Sequence, residues 1–168
     1  SADFIFYKQI MKQNILKVVK FFIYLTFFVP LVVLPTSFIF PFIVPKILLF
    51  RSLSLLMLTG FIFLVITNRS EFKLRFTALN VAVAAFFVSF AISTFAGVDP
   101  YHRFWDNHER MLGLFTIFHY VAYYFVCTSI LKNWSEWRFA LKIFLIAGSM
   151  AMFVALLQVF NPMLLLNG

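Results

Sequence analysis

The chain has 168 residues, of which 63% are hydrophobic and 12% charged, and its mean hydropathy is +0.97. A soluble domain is about 45–50% apolar and about 25% charged, so these numbers exclude a water-soluble globule. They also exclude a disordered segment, a collagen, a coiled coil and a disulfide-stapled module. The formal net charge of +8 would suggest nucleic acid for a soluble protein; in a membrane protein the first question is whether the positives sort to one side.

The apolar runs are continuous rather than alternating, which argues against a transmembrane β-barrel. At about 20 apolar residues per helix the content fits about five spans. The fold class is therefore all-α, a polytopic membrane helix bundle. Residues 1–17 form a basic N-terminal arm with Lys8, Lys12 and Lys17, followed by Lys20. The first span covers about 18–34. No small-residue cleavage site follows it and further apolar runs do, so it reads as a retained helix and not a signal peptide. Pro30, Pro35, Pro41 and Pro45 then break regular helix. The segment 35–46 is still apolar, and reads as an interfacial or re-entrant connection.

Lys46 and Arg51 open a second span at 47–67, and a polar loop with Arg69, Glu71, Lys73 and Arg75 follows. The third span, 76–97, carries Ala85, Ser89, Ser93 and Gly97 at every fourth position, a stripe that lets a neighbouring helix approach closely. A polar segment occupies 98–110, the fourth span 111–131, a short loop 132–138, and the fifth span 139–160. Ala147, Ala151 and Ala155 give that last span a second small-residue face before Asn161-Pro162 ends it. Cys127, the single cysteine, lies in an apolar run and reads as a small buried hydrophobe. The start at Ser1 and the stop at Gly168 just after an apolar run read as the ends of a fragment, a partial domain.

Positive residues sort by side. The arm contributes Lys8, Lys12, Lys17 and Lys20, the second-to-third loop Arg69, Lys73 and Arg75, and the fourth-to-fifth junction Lys132, Arg138 and Lys142. Only Lys46, Arg51, Arg103 and Arg110 fall on the opposite side of a five-span path. This accounting predicts an inside N-terminus and an outside C-terminus. Trp105 at one end of the fourth span, with Trp134 and Trp137 at the other, suits interfacial anchoring. The charge is then an orientation signal, and nucleic acid is not an expected partner.

The outer segment Gly97–Arg110 concentrates the chemistry, with Asp99, Asp106, Glu109, His102, His108, Arg103 and Arg110. Ionisable residues bordering a membrane are a functional-site hypothesis. The competing reading is capping. Asp99-Pro100 suits an N-cap followed by proline at the first helical position. Asp106 and Glu109 have the spacing of a capping box, and Asp106 and Arg110 that of a helical ion pair. Capping explains the acids better than the arginines, since an arginine at the head of a helix opposes its dipole. His102 and His108 are six apart and lack the i, i+4 spacing of a helical zinc pair, so no metal is expected. His119, inside the fourth span, reads first as a hydrogen-bonded packing residue. The sequence has no glycine-rich phosphate loop and no hydrolase or zinc-protease motif.

Read as a string, Gly97-Val98-Asp99-Pro100-Tyr101, then Phe104-Trp105, then Glu109-Arg110-Met111 and Gly113-Leu114 resembles the first outer-face segment of bacterial O-antigen ligase-like proteins. Phe38–Arg51, with Phe-Pro-Phe, Lys46 and Phe50-Arg51, is similar to that family's first connection. The chain differs at His102-Arg103, at Asp106 where the family pattern has glycine, and at His108 where an aromatic is common. The resemblance implies a larger fold of about a dozen helices, of which this chain is an N-terminal portion. It implies metal-independent and cofactor-free transfer of an undecaprenyl-pyrophosphate-linked glycan to a glycolipid or other acceptor, in the bacterial inner membrane. The family's main catalytic arginines and histidine lie on a large loop between later helices, so this portion is expected to be inactive alone. Its expected contribution is a lipid-facing cavity and pyrophosphate contacts from Arg110 and Arg103. Asp99, Tyr101, Trp105, Glu109, His102 and His108 would support them, and the remaining helices of the same protein would be its partners. Two other function classes stand beside this one: a transporter or channel fragment, which calls for repeats or mid-membrane charges, and a non-catalytic scaffold built on the small-residue faces.

Overall fold

A computed structural model describes residues 2–32, 43–69, 71, 72, 74, 77–106 and 111–160. All regular structure among them is helical: α1 Ala2–Thr26, α2 Val44–Thr67, α3 Ala78–Phe95, α4 Pro100–Trp105, α5 Leu114–Ile130 and α6 Trp134–Phe160, with a 3-10 turn at Val29–Leu31. Three of these, α2, α3 and α6, are long and apolar enough to cross a membrane. The protein is thus a helical membrane protein. α1 carries Lys17 and Lys20 inside its length, and α5 is a shorter apolar helix of 17 residues.

The boundaries refine the sequence reading. The basic arm is not separate from the first helix: α1 runs unbroken through it from Ala2, because lysines, glutamines and apolar residues are all compatible with helix. Pro30 sits in the 3-10 turn that follows. Val44-Pro45-Lys46 already belongs to α2, with proline tolerated in its first turn. The rest of the proposed re-entrant connection, Pro35–Phe42, lies outside the described residues, as does Asn161-Pro162. α6 starts before the expected 139, at Trp134. Glu136 sets that start by accepting hydrogen bonds from the backbone N–H of Lys132 (3.0 Å) and Asn133 (3.5 Å), the carboxylate half of a capping box.

α1 and α2 pack side by side, α5 packs on α2, and α3 lies against α5. Val19, Ile23, Met57, Phe61, Leu64, Val126, Cys127 and Ile130 form the apolar centre of this group. Gly60 is the point of closest approach, since a Cβ there would lie 2.6 Å from Val19 Cγ2. On α3 the face toward α5 carries Asn80, Phe87 and Thr94. Asn80 accepts a 2.7 Å hydrogen bond from the Tyr124 hydroxyl, and Phe87 meets Phe118 at 6.2 Å. The small-residue stripe points elsewhere: Ala85, Ser89 and Ser93 are exposed. Burial follows the partner: Asn80 and Thr94 are buried, whereas of the stripe only Gly97 is partly covered, by Arg103 of α4. α6 leans on α1 through Tyr24–Phe139 (5.1 Å) and on the turn after α1 through Phe27–Phe144 (5.7 Å), and buries only Ala140 and Ala147.

One end of the bundle gathers the basic stretches. Lys12 pairs with Glu71 (2.5 Å) and Lys20 with Glu136 (2.6 Å). Lys132 Nζ donates to the Glu71 carbonyl (2.7 Å) and sits 4.4 Å above the buried Phe72 ring. The hydrogen bond from Lys12 holds the Glu71 carboxyl below the usual carboxylate range, aided by the charges of Lys12 and Lys132 against a smaller burial cost. Trp137 Nε1 donates to the Leu131 carbonyl (2.8 Å) and closes the α5–α6 junction.

Candidate functional site

The opposite end holds the polar segment. After α3, the chain turns at Ala96–Val98 into α4. Asp99 is the N-cap of α4, its carboxylate accepting from the His102 N–H at 3.0 Å, with Pro100 at the head of the helix. The capping reading of Asp99-Pro100 holds. Arg103 folds back over Gly97 and donates from Nη1 to the Ser93 carbonyl at 3.1 Å. A guanidinium at the last turn of α3 is favourable for both the free carbonyl and the helix dipole. Arg103 therefore serves as a C-terminal cap of α3 while remaining exposed. Tyr101 is 78% exposed on α4, and His102 is exposed beside it.

The capping-box and ion-pair readings of Asp106 involve Glu109 and Arg110, which lie outside the described residues. Asp106 follows α4 as its C-cap, at φ 63° and ψ 178°, a backbone region that glycine adopts freely and other residues at a cost of about 1–3 kcal/mol. Its Oδ2 accepts the Leu112 N–H at 2.8 Å, which ties the end of α4 to the residues just before α5. Met111 is also left-handed, at φ 49°. Gly113 is the N-cap of α5, and a Cβ there would lie 2.7 Å from the Trp105 carbonyl carbon and against the Phe104 carbonyl. Glycine at 113 is what allows the end of α4 to rest on the head of α5. Arg110, Glu109 and His108 lie outside the described residues. Among the described residues no group of His, Cys, Asp and Glu could hold a metal ion.

Trp105 packs at this junction, not as an isolated anchor. It meets Phe104 at 5.0 Å and Phe115 at 5.1 Å, and Phe104 meets Phe115 at 5.9 Å. Phe115 in turn lies edge-on to His119 at 4.6 Å. His119 is 1% exposed, with Nδ1 hydrogen-bonded to the Phe115 carbonyl at 2.6 Å, as expected of a packing residue. Its Nε2 is buried without a hydrogen-bond partner among the described residues.

Arg51, on α2, is the residue that the sequence reading passed over as a site residue. Its Nη2 donates to the Met111 carbonyl at 3.2 Å and to the Thr116 hydroxyl, and its guanidinium carbon lies 4.9 Å from the centre of the Phe115 ring. Thr116, fully buried, also donates to the Met111 carbonyl. One helical turn further along α2, the buried Ser54 hydroxyl donates to the His119 carbonyl at 3.1 Å. Neither ion pair among the described residues includes Arg51. The available signal was an arginine eight residues into an apolar helix, which needs a partner; the partners are about 60 residues away in sequence and invisible to local spacing.

No family model, curated protein or solved structure matches this chain.

Proposed function

We propose that this chain is the N-terminal membrane portion of an O-antigen ligase-like glycosyltransferase, which moves an undecaprenyl-pyrophosphate-linked glycan to a glycolipid or other acceptor. The observation that carries the reading is the string from Gly97 to Leu114. The geometry supports it at three positions of that string. Asp99 caps α4, Gly113 sits where no side chain fits, and Asp106 occupies glycine-type backbone at the place where the family pattern has glycine. In this reading the bundle has five spans, with the N-terminus inside and the C-terminus outside the bacterial inner membrane. The gathering of Lys12, Lys20 and Lys132 at one end and of the polar segment at the other suits that orientation.

Arg110, with Arg103, contacts the donor pyrophosphate. Arginine fits the task because its planar fork matches phosphate oxygens and its charge does not titrate. The catalytic groups come from a large loop between later helices, so this portion alone does not transfer glycan. In the full-length protein, Arg110→Ala is expected to reduce glycan transfer from the undecaprenyl-pyrophosphate donor at least about tenfold, the loss of a charge-assisted contact, with membrane insertion intact. Unchanged transfer removes Arg110 from the site. For the orientation, a cysteine replacing Trp105 should react with an impermeant maleimide from the outer face, and one replacing Trp134 should not.

A further inference from the structure

We propose that Arg51 is a positioning residue, one that fixes α4 and the Arg103 guanidinium on it at the head of α5. This rests on the glycosyltransferase reading for its functional consequence, and on geometry alone for the latch itself. Arg51 is half-buried near the head of an apolar helix, and its Nε is shielded from water without a hydrogen-bond partner among the described residues. If packing were its only task, an apolar side chain of similar volume would do as well or better, because withdrawing a charge from water is costly. The guanidinium instead joins three pieces of chain. Nη2 reaches the Met111 carbonyl at the end of the polar segment and the Thr116 hydroxyl in the first turn of α5, and Thr116 donates to that same carbonyl.

The triangle holds Met111 in left-handed backbone, which costs a non-glycine residue about 1–2 kcal/mol. It also fixes Phe115, whose ring lies under the guanidinium and against both Phe104 and Trp105. Phe104 and Trp105 are the last two residues of α4. The path from α2 to α4 is therefore continuous: Arg51, Phe115, then the aromatic end of the helix that bears Arg103. A cation here is also poorly placed for α5, whose head repels positive charge, so its retention is explained by the neutral oxygens it gathers.

The test uses the full-length protein with its native cysteines, Cys127 among them, replaced by alanine and one cysteine in place of the exposed Tyr101, carrying a nitroxide spin label. Arg51→Met and Thr116→Val should each raise the mobile fraction of the label about threefold or more. Thr116→Ser keeps the hydroxyl and should restore the wild-type spectrum. Ser54→Ala removes a different α2–α5 hydrogen bond and should leave the spectrum unchanged. Thr116→Val keeps the inference testable if Arg51→Met fails to insert. In glycan transfer, Arg51→Met and Thr116→Val should raise KM for the undecaprenyl-pyrophosphate donor about tenfold, with kcat within about twofold, the signature of lost ground-state binding. An unchanged label spectrum in both variants overturns the latch. A loosened label with unchanged KM overturns the positioning role. Absence of glycan transfer in the wild-type full-length protein sinks the functional reading separately, while the spectra still decide the latch.

Discussion

The two ends of the bundle manage positive charge in opposite ways. At the basic end, Lys12 and Lys20 meet carboxylates, and Lys132 meets a carbonyl and an aromatic face. Glu71 is half exposed there, at 50% for its side chain, so water can replace any one partner. At the polar end, Arg51 has neutral partners: a backbone carbonyl, a hydroxyl and a ring. A solvent-facing pair such as Lys12–Glu71 contributes about 0–1 kcal/mol; Lys20–Glu136 is partly buried. Removing one partner from a buried hydrogen-bonded set leaves the others unsatisfied, at about 1–3 kcal/mol. Neutral acceptors around Arg51 are thus more consequential than the solvent-facing Lys12–Glu71 pair.

That contrast can be broken in order of expected effect, read as thermal unfolding in detergent micelles. Gly113→Ala should be the most damaging, because its Cβ meets backbone of Phe104 and Trp105 that cannot rotate away. Overpacking of this kind costs about 1–3 kcal/mol, and a wild-type unfolding temperature would refute the close approach of α4 and α5. Asp106→Ala should lose about 1–2 kcal/mol by giving up the bond to Leu112 while keeping the unfavourable backbone. Asp106→Gly should lose less than Asp106→Ala, since relief of strain offsets part of the lost bonding; equal losses in the two variants would show that strain plays no part. Asp99→Ala should cost about 1 kcal/mol, the usual value of an N-cap, confined to α4 and visible as faster amide exchange at His102.

Glu71→Gln should have the smallest effect, a few tenths of a kcal/mol, because the pair is solvent-screened. Its pH dependence has a definite sign. The folded-state value for Glu71 is lowered from the ordinary 4.5, so the carboxylate contributes fully above that value and its contribution fades as pH falls through the lowered one. An acid titration in which Glu71→Gln and wild type diverge on lowering the pH would contradict this; they should converge.

Local features of the fold were legible in the sequence. Continuous apolar runs announce α2, α3 and α6, and Asp99-Pro100 announces the start of α4, because a cap and the backbone it serves lie within three residues. The helical state of the N-terminal arm was hidden by its lysines, which suit a helix as well as a linker. On α3 the four-residue spacing of Ala85, Ser89 and Ser93 was correctly seen, but which face is buried depends on where α5 lies, and spacing contains no such information. The same limit applies at the candidate site. Arg103 was identified, yet its bond to Ser93 depends on the turn between α3 and α4. Arg51 acquires its meaning only when Met111 and Thr116 are brought beside it.

The continuity of α1 has a mechanical consequence. Ten helical residues, Ala2–Met11, precede the Lys12–Glu71 pair, and at 1.5 Å per residue they reach about 15 Å past it. Phe6 and Tyr7 are each 68% exposed on this extension. A hinge would let the extension sweep a cone. An unbroken helix clamped by Lys12 and Lys20 instead acts as a stiff rod, holding those two rings at a set height and bearing relative to the rest of the molecule.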